Sequence, residues 1–266
     1  MRPRPLSTFA TSAIRGVMAY RRDQRDRKTR RKDAETELAY RTLPREEPRL
    51  VEIAGACKRV YREAHIDGGV MDAQVRLDEL SDPNELLVTF RGSESVRDWL
   101  VNMFAFMVGY DGCKVHAGFL ACWCSVDLQV VDAIDKVMRR AEPEPPQRIV
   151  VAGHSLGSAM ATLCALDLRR VRPQYDVRLT TFAGPRVGDS EFAARLRDLN
   201  PMTICHFGDV VPSLPRFSVI ARSTYSPCGL VKFAPPETCK NFIDKHRMDG
   251  FLLTADAIHA SARCER

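Results

Sequence analysis

One serine in this sequence lies in a pattern that could make it a nucleophile. Residues 153–157 read Gly-His-Ser-Leu-Gly, which fits G-x-S-x-G. The run at 148–152 predicts a buried strand, and the Ala- and Leu-rich run at 158–170 predicts a helix. Strand, sharp turn and helix together predict a nucleophile elbow, whose flanking glycines leave room for the turn at Ser155. The structural alternative is a Gly-rich strand-to-helix turn without chemistry.

The elbow serine needs two partners before it can attack a carbonyl carbon. A general base must take the proton of the hydroxyl, and an acid must orient that base. In folds with a nucleophile elbow, the acid follows the serine in the chain and the histidine follows the acid. Asp209 comes directly after a predicted strand and is therefore the predicted acid. Asp189 is better explained as a helix N-cap, and Asp176 precedes a strand, at the wrong end of the sheet.

The predicted base is the histidine that best satisfies this chain order. His246 and His259 both follow the predicted acid, and His246 lies where a loop enters the last helical segment. His259 lies among the final residues. His154 is adjacent to the serine and cannot align with its oxygen, and His206 lies in a strand, where we expect it to face the core or the sheet edge. The sequence therefore predicts His246 as the base.

Acyl transfer also needs hydrogen-bond donors for the oxyanion of the tetrahedral intermediate. The backbone N–H of Leu156, the residue after the nucleophile, is the first predicted donor. The second is predicted at Ser93, in the loop after the strand at 85–90, where Gly92 allows a close approach of the backbone. The structural alternative for this loop is a plain strand-ending turn.

An apolar segment at 95–110 follows the predicted oxyanion loop. It is interpreted either as a buried helix or as a mobile lid whose apolar face covers the site and docks on lipid. Its apolar residues include Trp99, Leu100, Met103 and Phe104.

The elements that must position these residues alternate between strand and helix. This alternation predicts an α/β fold with a mostly parallel sheet covered on both faces, and an antiparallel pair at its early edge. Predicted strands lie at 74–80, 85–90, 148–152, 177–182, 203–207, 217–222 and 230–233. Predicted helices lie at 33–43, 50–65, 116–140, 158–170, 189–199 and from 241 onward.

Five segments, in order, resemble the class 3 lipases, which are α/β-hydrolases related to fungal triacylglycerol lipases. The segment at 246–252 also resembles the histidine region of that family, with Phe251 where a tyrosine is common. The resemblance covers about residues 50–252. The five segments lie at 90–100, 115–123, 150–161, 181–193 and 207–215.

The resemblance implies an α/β-hydrolase fold with a helical lid at about 94–108. It implies a triad of Ser155, Asp209 and His246, an oxyanion hole at Ser93 and Leu156, and no cofactor or metal. The implied activity is hydrolysis of acylglycerols or related lipid esters through an acyl-enzyme. The alternatives are a phospholipase A1, galactolipase or feruloyl-type esterase on the same fold, and a catalytically inactive interaction scaffold.

The charge of the chain is concentrated at one end. Residues 1–32 carry eleven Lys or Arg against two acids, whereas the rest has 29 basic and 32 acidic residues. We therefore predict a basic tail at 1–32 and a single hydrolase domain at 33–266. The tail is interpreted as disordered, as a membrane-surface helix or as an organelle-targeting segment. Nucleic-acid binding is disfavoured because the tail lacks interleaved aromatic residues.

Cysteine usage and hydropathy suggest a compartment. There are nine cysteines, an odd number, and no C-x-x-C, so no zinc site or redox pair is expected. Cys122, Cys124 and Cys164 are predicted to be buried, and Cys228 and Cys239 lie where they could pair. No apolar run approaches the roughly 18–20 residues that span a bilayer, and no secretory signal is recognised. The expected location is intracellular, in the cytoplasm or at a membrane or lipid-droplet surface touched by the lid and the tail.

Overall fold

The computed structural model describes residues 49–68, 73–81, 84–92, 106–140, 144–218 and 221–264. They belong to one compact unit, Pro44–Arg266. The predicted tail at 1–32, the predicted domain boundary at residue 33 and the predicted helix at 33–43 lie outside the described residues.

A seven-stranded sheet forms the centre of the described fold. Its spatial order is β1-β2-β3-β6-β7-β8-β11, and β4–β5 and β9–β10 form two separate antiparallel pairs. The strands are β1 (Ile66–Asp67), β2 (Gln74–Ser81), β3 (Asn84–Phe90), β4 (Met107–Tyr110), β5 (Cys113–His116), β6 (Arg148–His154), β7 (Val177–Phe182), β8 (Met202–His206), β9 (Phe217–Ser218), β10 (Ser223–Thr224) and β11 (Leu230–Phe233).

The direction of the strands confirms the predicted mostly parallel sheet. The strands β1, β2 and β3 pair antiparallel, whereas β3, β6, β7, β8 and β11 pair parallel to one another. The antiparallel pair predicted at the early edge is therefore confirmed. The carboxyl ends of the parallel strands lie at one edge of the sheet, which is where ligands bind in open α/β sheets.

Helices lie between and after these strands. They are α1 (Leu50–Arg59), α2 (Ala117–Cys124), α3 (Asp127–Met138), α4 (Leu156–Val171), α5 (Ser190–Arg195), α6 (Phe242–His246) and α7 (Met248–Cys264), with 3₁₀ turns at Arg197–Leu199 and Val211–Ser213.

Both faces of the central strands are covered, which explains their nearly continuous apolar sequences. In β3 and β6, every residue after the first is buried. Because alternate residues face opposite sides of a sheet, Val88 and Val151 join the core formed with α2, α3 and α4, whereas their neighbours Leu87 and Val150 face the other side. The helix α1 contacts β3, β6 and α7. The elbow strand is thus fixed from both sides.

The predicted single helix at 116–140 is wrong, because two helices occupy this stretch. The first, α2, ends at Cys124 and the second, α3, begins at Asp127, with a bend of 52° between them. At the break, the Ser125 hydroxyl donates to the Cys122 carbonyl oxygen at 2.7 Å. A serine hydroxyl that bonds a carbonyl three residues earlier can compete with the helical hydrogen bonds and bend the helix. The helix predicted at 50–65 also ends early, at Arg59.

Among the described helices, none taken singly has the length and apolar character needed to cross a bilayer. The bent pair α2 and α3 meets that test only when both helices are counted together.

The cysteines depart from prediction at one position. Cys122 and Cys164 are buried as predicted, but Cys124 is exposed because it lies on the outward side of the last turn of α2. Burial raises the pKa of the Cys164 thiol, which therefore packs as a small apolar group. Cys228 and Cys239 are both free thiols.

Candidate active site

The serine lies on a strained turn between β6 and α4. Ser155 has φ 56° and ψ −124°, a left-handed backbone conformation that a non-glycine residue rarely adopts. A side chain on Gly153 would collide with the backbone of Gly157, and one on Gly157 with the carbonyl oxygen of Phe90. Both glycines of the pattern are therefore required by close backbone packing. The strain at the serine matches what a nucleophile elbow stores.

The structure brings the three predicted triad residues together. The Nε2 atom of His246 lies 2.9 Å from the Ser155 Oγ atom, and its Nδ1 atom lies 2.9 Å from the Asp209 Oδ2 atom. The side chains of His246 and Asp209 are fully buried, and Ser155 is 1% exposed. The carboxylate accepts a hydrogen bond from Nδ1–H, so Nε2 carries no proton and can accept that of the hydroxyl. This arrangement is that of a base set between its acid and its nucleophile.

Local structure explains where the acid and the base lie. Asp209 follows β8 after a turn at Gly208, whose φ is +88°, and its Oδ1 atom accepts a hydrogen bond from Val211 N at 3.0 Å. His246 is the last residue of α6. This short helix is fixed at its start by a capping box between Asn241 and Asp244.

The two rival acids make contacts elsewhere. Asp189 caps α5 by accepting from Phe192 N at 3.0 Å, as predicted. Asp176 pairs with Arg148 at 2.7 Å, at the opposite end of the sheet from the serine. The side chain of His259 lies outside the described residues.

The first predicted oxyanion donor lies beside the serine. Leu156 is the first residue of α4, so its backbone N–H has no acceptor within the helix and lies at the positive end of the helix dipole. The loop after β3 also passes close by, since a Cβ atom on Gly92 would lie 3.2 Å from the Ser155 Cβ atom. Ser93, the second predicted donor, lies outside the described residues. So do the predicted lid residues Trp99, Leu100, Met103 and Phe104.

Two buried histidines contact the helix that carries the base. His154 bonds the backbone oxygen of His246, and His206 bonds that of Lys245. Burial and the nearby His246 lower the pKa of His154 to about 3, and burial also lowers the pKa of His206, so both are neutral near pH 7. The sequence indicated only that neither could be the base. Their contacts depend on tertiary placement and leave no local signal.

A resident metal is not implied by the side chains that are described. Within these ranges of the chain, no group of three or more His, Cys, Asp or Glu residues is arranged to hold a metal ion.

Comparison with known proteins relates this site to a family. The sequence profile described as "Lipase (class 3)" matches residues 87–219. The chain is 34% identical over 138 residues to secreted mono- and diacylglycerol lipase A of Penicillium cyclopium, covering 50% of this chain and 44% of that protein. It is 36% identical over 136 residues to secreted mono- and diacylglycerol lipase 1 of Fusarium solani, covering 49% and 39%. The alignments thus span less than half the length of these curated relatives.

Solved structures give the same relationship. The lipase of Rhizomucor miehei, in its native complex with the propeptide, superposes with a TM-score of 0.56 and 26% identity, covering 67% of this chain and 64% of that one. A triacylglycerol lipase described as having a serine-protease triad at its catalytic centre superposes with a TM-score of 0.51 and 29% identity, covering 58% of this chain and 59% of that one.

One expectation is wrong by these comparisons. The expected intracellular location is contradicted, because the relatives from Penicillium and Fusarium are named as secreted lipases. The expectation rested on cysteine usage and on the lack of a recognised secretory signal. Most of the described cysteines are buried, and a buried thiol packs in the same way in an oxidising or a reducing compartment.

Fold, elbow and sequence profile lead to one assignment. The profile covers half of the chain and extends from β3 through the elbow and Asp209 to β9. The superposed lipases share the mostly parallel sheet on which this elbow is built. The chain belongs to the class 3 lipase family of α/β-hydrolases.

Proposed function

We propose that this protein is a serine carboxylic-ester hydrolase that cleaves acylglycerols or related lipid esters. The observation that carries the proposal is the buried His246 ring, whose two nitrogens lie 2.9 Å from the Ser155 hydroxyl and 2.9 Å from the Asp209 carboxylate. A hydroxyl, an imidazole and a carboxylate in this order form a general solution for acyl transfer on many folds.

The reaction follows from the roles of these groups. His246 Nε2 takes the hydroxyl proton as Ser155 Oγ attacks the ester carbonyl carbon, and the oxyanion accepts hydrogen bonds from backbone N–H groups at Leu156 and Ser93. The imidazolium, stabilised by Asp209, returns the proton to the departing alcohol, which leaves an acyl-enzyme. Water then attacks the acyl carbon with His246 again as base, and the fatty acid is released. The cycle balances without a cofactor or metal.

The lipid character of the substrate is supported by the relatives and by surface residues. The relatives from Penicillium and Fusarium are named for mono- and diacylglycerols. In this chain, Val210, next to the acid, is 41% exposed, and Phe106, at the end of the predicted lid segment, is 40% exposed. We propose that residues 94–108 form a lid over the site within a hydrolase domain at 33–266. We further propose that the lid and the basic tail at 1–32 contact the lipid surface that presents the substrate.

The proposal is tested with a panel of lipids and one variant. Wild-type protein and Ser155→Ala are compared on emulsified mono-, di- and triacylglycerols, a phospholipid, a galactolipid and a feruloyl ester, with and without residues 1–32. We expect fatty-acid release from acylglycerols by wild type only, with a rise in rate once the substrate forms an interface. Equal release by folded Ser155→Ala contradicts the mechanism. A preference for the soluble feruloyl ester contradicts the lipid assignment, and a folded wild type inactive on the whole panel supports the interaction scaffold instead.

A further inference from the structure

We propose that His154 and His206 are a pair of positioning residues that hold the backbone of α6 and thereby place the imidazole of His246 between its two partners. The inference rests on the proposed function, because it assigns these residues to the service of a catalytic base. It concerns two histidines that never touch the Ser155 oxygen themselves. We call them the paired clamp.

The clamp acts on two consecutive carbonyl groups at the end of α6. His154 Nε2 lies 2.6 Å from the His246 backbone oxygen, and His206 Nδ1 lies 2.7 Å from the Lys245 backbone oxygen. Both rings are buried, with 4% and 2% of the residue exposed. The last carbonyl oxygens of a helix receive no hydrogen bond from within the helix. The chain cannot supply further helical donors here, because Arg247 leaves α6 in an extended conformation. The Arg247 N–H bonds the Ile243 and Asp244 carbonyl oxygens, and the two imidazoles bond the next two, those of Lys245 and His246.

The protons on both rings are determined by their partners. A carbonyl oxygen only accepts, so His154 must carry its proton on Nε2 and His206 must carry its proton on Nδ1. The remaining nitrogens are then acceptors. His154 Nδ1 faces the Tyr61 hydroxyl at 2.9 Å, and His206 Nε2 faces the Thr254 hydroxyl at 2.8 Å. Each neutral ring thus bridges a hydroxyl to a carbonyl of α6 in a single tautomer. The Thr254 hydroxyl donates its one proton to His206 Nε2 at 2.8 Å rather than to the Gly250 carbonyl oxygen at 3.1 Å.

An aromatic side chain from α7 holds both rings in place. Phe251 stacks on His206 with ring centroids 4.0 Å apart and an angle of 5° between the planes. The same ring lies 6.1 Å from His154 and packs edge-on against Phe182 at 5.7 Å. The clamp therefore extends from the elbow, through the aromatic layer, to the end of β8. Both histidines and Phe251 are buried.

The consequence concerns distances at the site. His246 must keep both of its ring nitrogens within hydrogen-bonding range of Ser155 Oγ and Asp209 Oδ2. The position of the ring depends on its χ angles and on the backbone, and the clamp fixes the backbone. A displacement of about 1 Å from a change outside the reacting atoms can cost roughly 10²-fold in rate. Loss of one clamp bond is therefore expected to lower kcat while leaving KM nearly unchanged, because the clamp does not touch the substrate.

Matched pairs of variants separate positioning from packing. His154→Gln keeps an N–H at the end of a side chain of similar length, whereas His154→Met has nearly the same length and no donor. His206→Asn keeps an N–H at the place of Nδ1, whereas His206→Leu does not. We expect kcat on a short p-nitrophenyl ester to fall about 10- to 100-fold in His154→Met and His206→Leu. We expect His154→Gln and His206→Asn to recover most of that loss, with KM within about twofold of wild type throughout.

Smaller changes at the far ends of the clamp cover the case in which the apolar variants do not fold. Tyr61→Phe and Thr254→Val remove one hydroxyl each and keep the shape of the side chain. Both are expected to fold and to lose several-fold in kcat, because each ring then loses the hydrogen bond that holds its second nitrogen and is oriented by its carbonyl partner alone.

The outcomes distinguish the clamp from the proposed function. A wild type that a fluorophosphonate does not label at Ser155 overturns both. If the wild type is labelled and active, the clamp is overturned by folded His154→Met and His206→Leu with unchanged kcat. Equal losses in the donor-bearing and apolar variants assign the histidines to packing and also overturn it, as does unchanged kcat in both Tyr61→Phe and Thr254→Val.

Discussion

Replacing Asp209 by Asn tests the acid of the proposed triad with the smallest possible change. Both oxygens of the carboxylate accept a hydrogen bond, Oδ2 from His246 Nδ1 at 2.9 Å and Oδ1 from Val211 N at 3.0 Å. An asparagine side chain offers one accepting oxygen and one donating NH₂. In either orientation of the amide, one of the two N–H groups loses its acceptor. The variant therefore loses either the catalytic tautomer of His246 or the hydrogen bond of the Val211 N–H.

The two costs have different magnitudes. If the NH₂ group turns toward His246, Nδ1 must give up its proton and Nε2 can no longer accept one from Ser155. In the serine-protease triad, this tautomer error lowers kcat about 10⁴-fold, equivalent to about 5.4 kcal/mol of barrier. If the oxygen turns toward His246 instead, a buried backbone N–H is left unsatisfied, at about 1–3 kcal/mol of unfolding free energy. We expect kcat to fall by roughly 10³- to 10⁴-fold, with a stability loss of no more than about 3 kcal/mol.

The assay measures kcat on a short p-nitrophenyl ester and the free energy of unfolding in urea. Asp189→Asn is the matched control, because the Asp189 carboxylate also accepts two backbone N–H groups, from Phe192 at 3.0 Å and from Lys114 at 3.2 Å. The control is expected to lose similar stability and to keep kcat within a few-fold of wild type. A folded Asp209→Asn with more than a tenth of wild-type kcat would refute the reasoning.

Three further predictions concern stability and the elbow. Burial lowers the pKa of His154 from 6.5 to about 3, so between these pH values the unfolded chain binds a proton that the folded chain does not. As the pH falls from 6.5 toward 3, the unfolding free energy should therefore decrease by about 1.4 kcal/mol per pH unit, and less steeply in His154→Gln. A pH-independent difference between the two proteins contradicts this. Gly92→Ala should lower kcat at least tenfold, because its Cβ atom would lie 2.5 Å from the His154 carbonyl oxygen and displace the loop after β3, where we propose the second oxyanion donor. Wild-type kinetics would show that the loop adapts. Asp167→Ala should lower the unfolding free energy, measured in urea, by about 2–5 kcal/mol, because Trp123 Nε1 and the Tyr110 hydroxyl each donate to its carboxylate at 2.6 Å. At a temperature where the variant is folded, its kcat should stay near wild type.

The sequence was sufficient for those parts of the site that chain order constrains. A turn that must carry Ser155 needs glycine on both sides, and an acid and a base that follow it in fixed order leave few candidates. Asp209 and His246 were selected in this way. In the structure, His246 lies within hydrogen-bonding distance of both the Ser155 hydroxyl and the Asp209 carboxylate. The strands were predictable for a similar reason, because burial on both faces requires continuous apolar runs.

Features that depend on tertiary contacts were not predictable. The break between α2 and α3 follows Ser125, whose hydroxyl bonds the Cys122 carbonyl oxygen, and the apolar periodicity of the sequence does not indicate that contact. The exposure of Cys124 depends on how α2 packs. The contacts of His154 and His206 join the elbow and β8 to the far end of the chain, so nothing near either histidine in the sequence indicates them. The predicted compartment was wrong because buried thiols pack in the same way in an oxidising and a reducing compartment.

The central claim is that Ser155 is a nucleophile activated by His246 and Asp209, and covalent labelling tests it most directly. Wild-type protein is treated with a fluorophosphonate, the adduct is located by peptide mass spectrometry, and diacylglycerol hydrolysis is followed in the same sample. We predict one adduct, on Ser155, that forms in proportion to the loss of hydrolysis and does not form in His246→Ala. An absent adduct, an adduct on another residue, or full hydrolysis after complete labelling of Ser155 would contradict the claim.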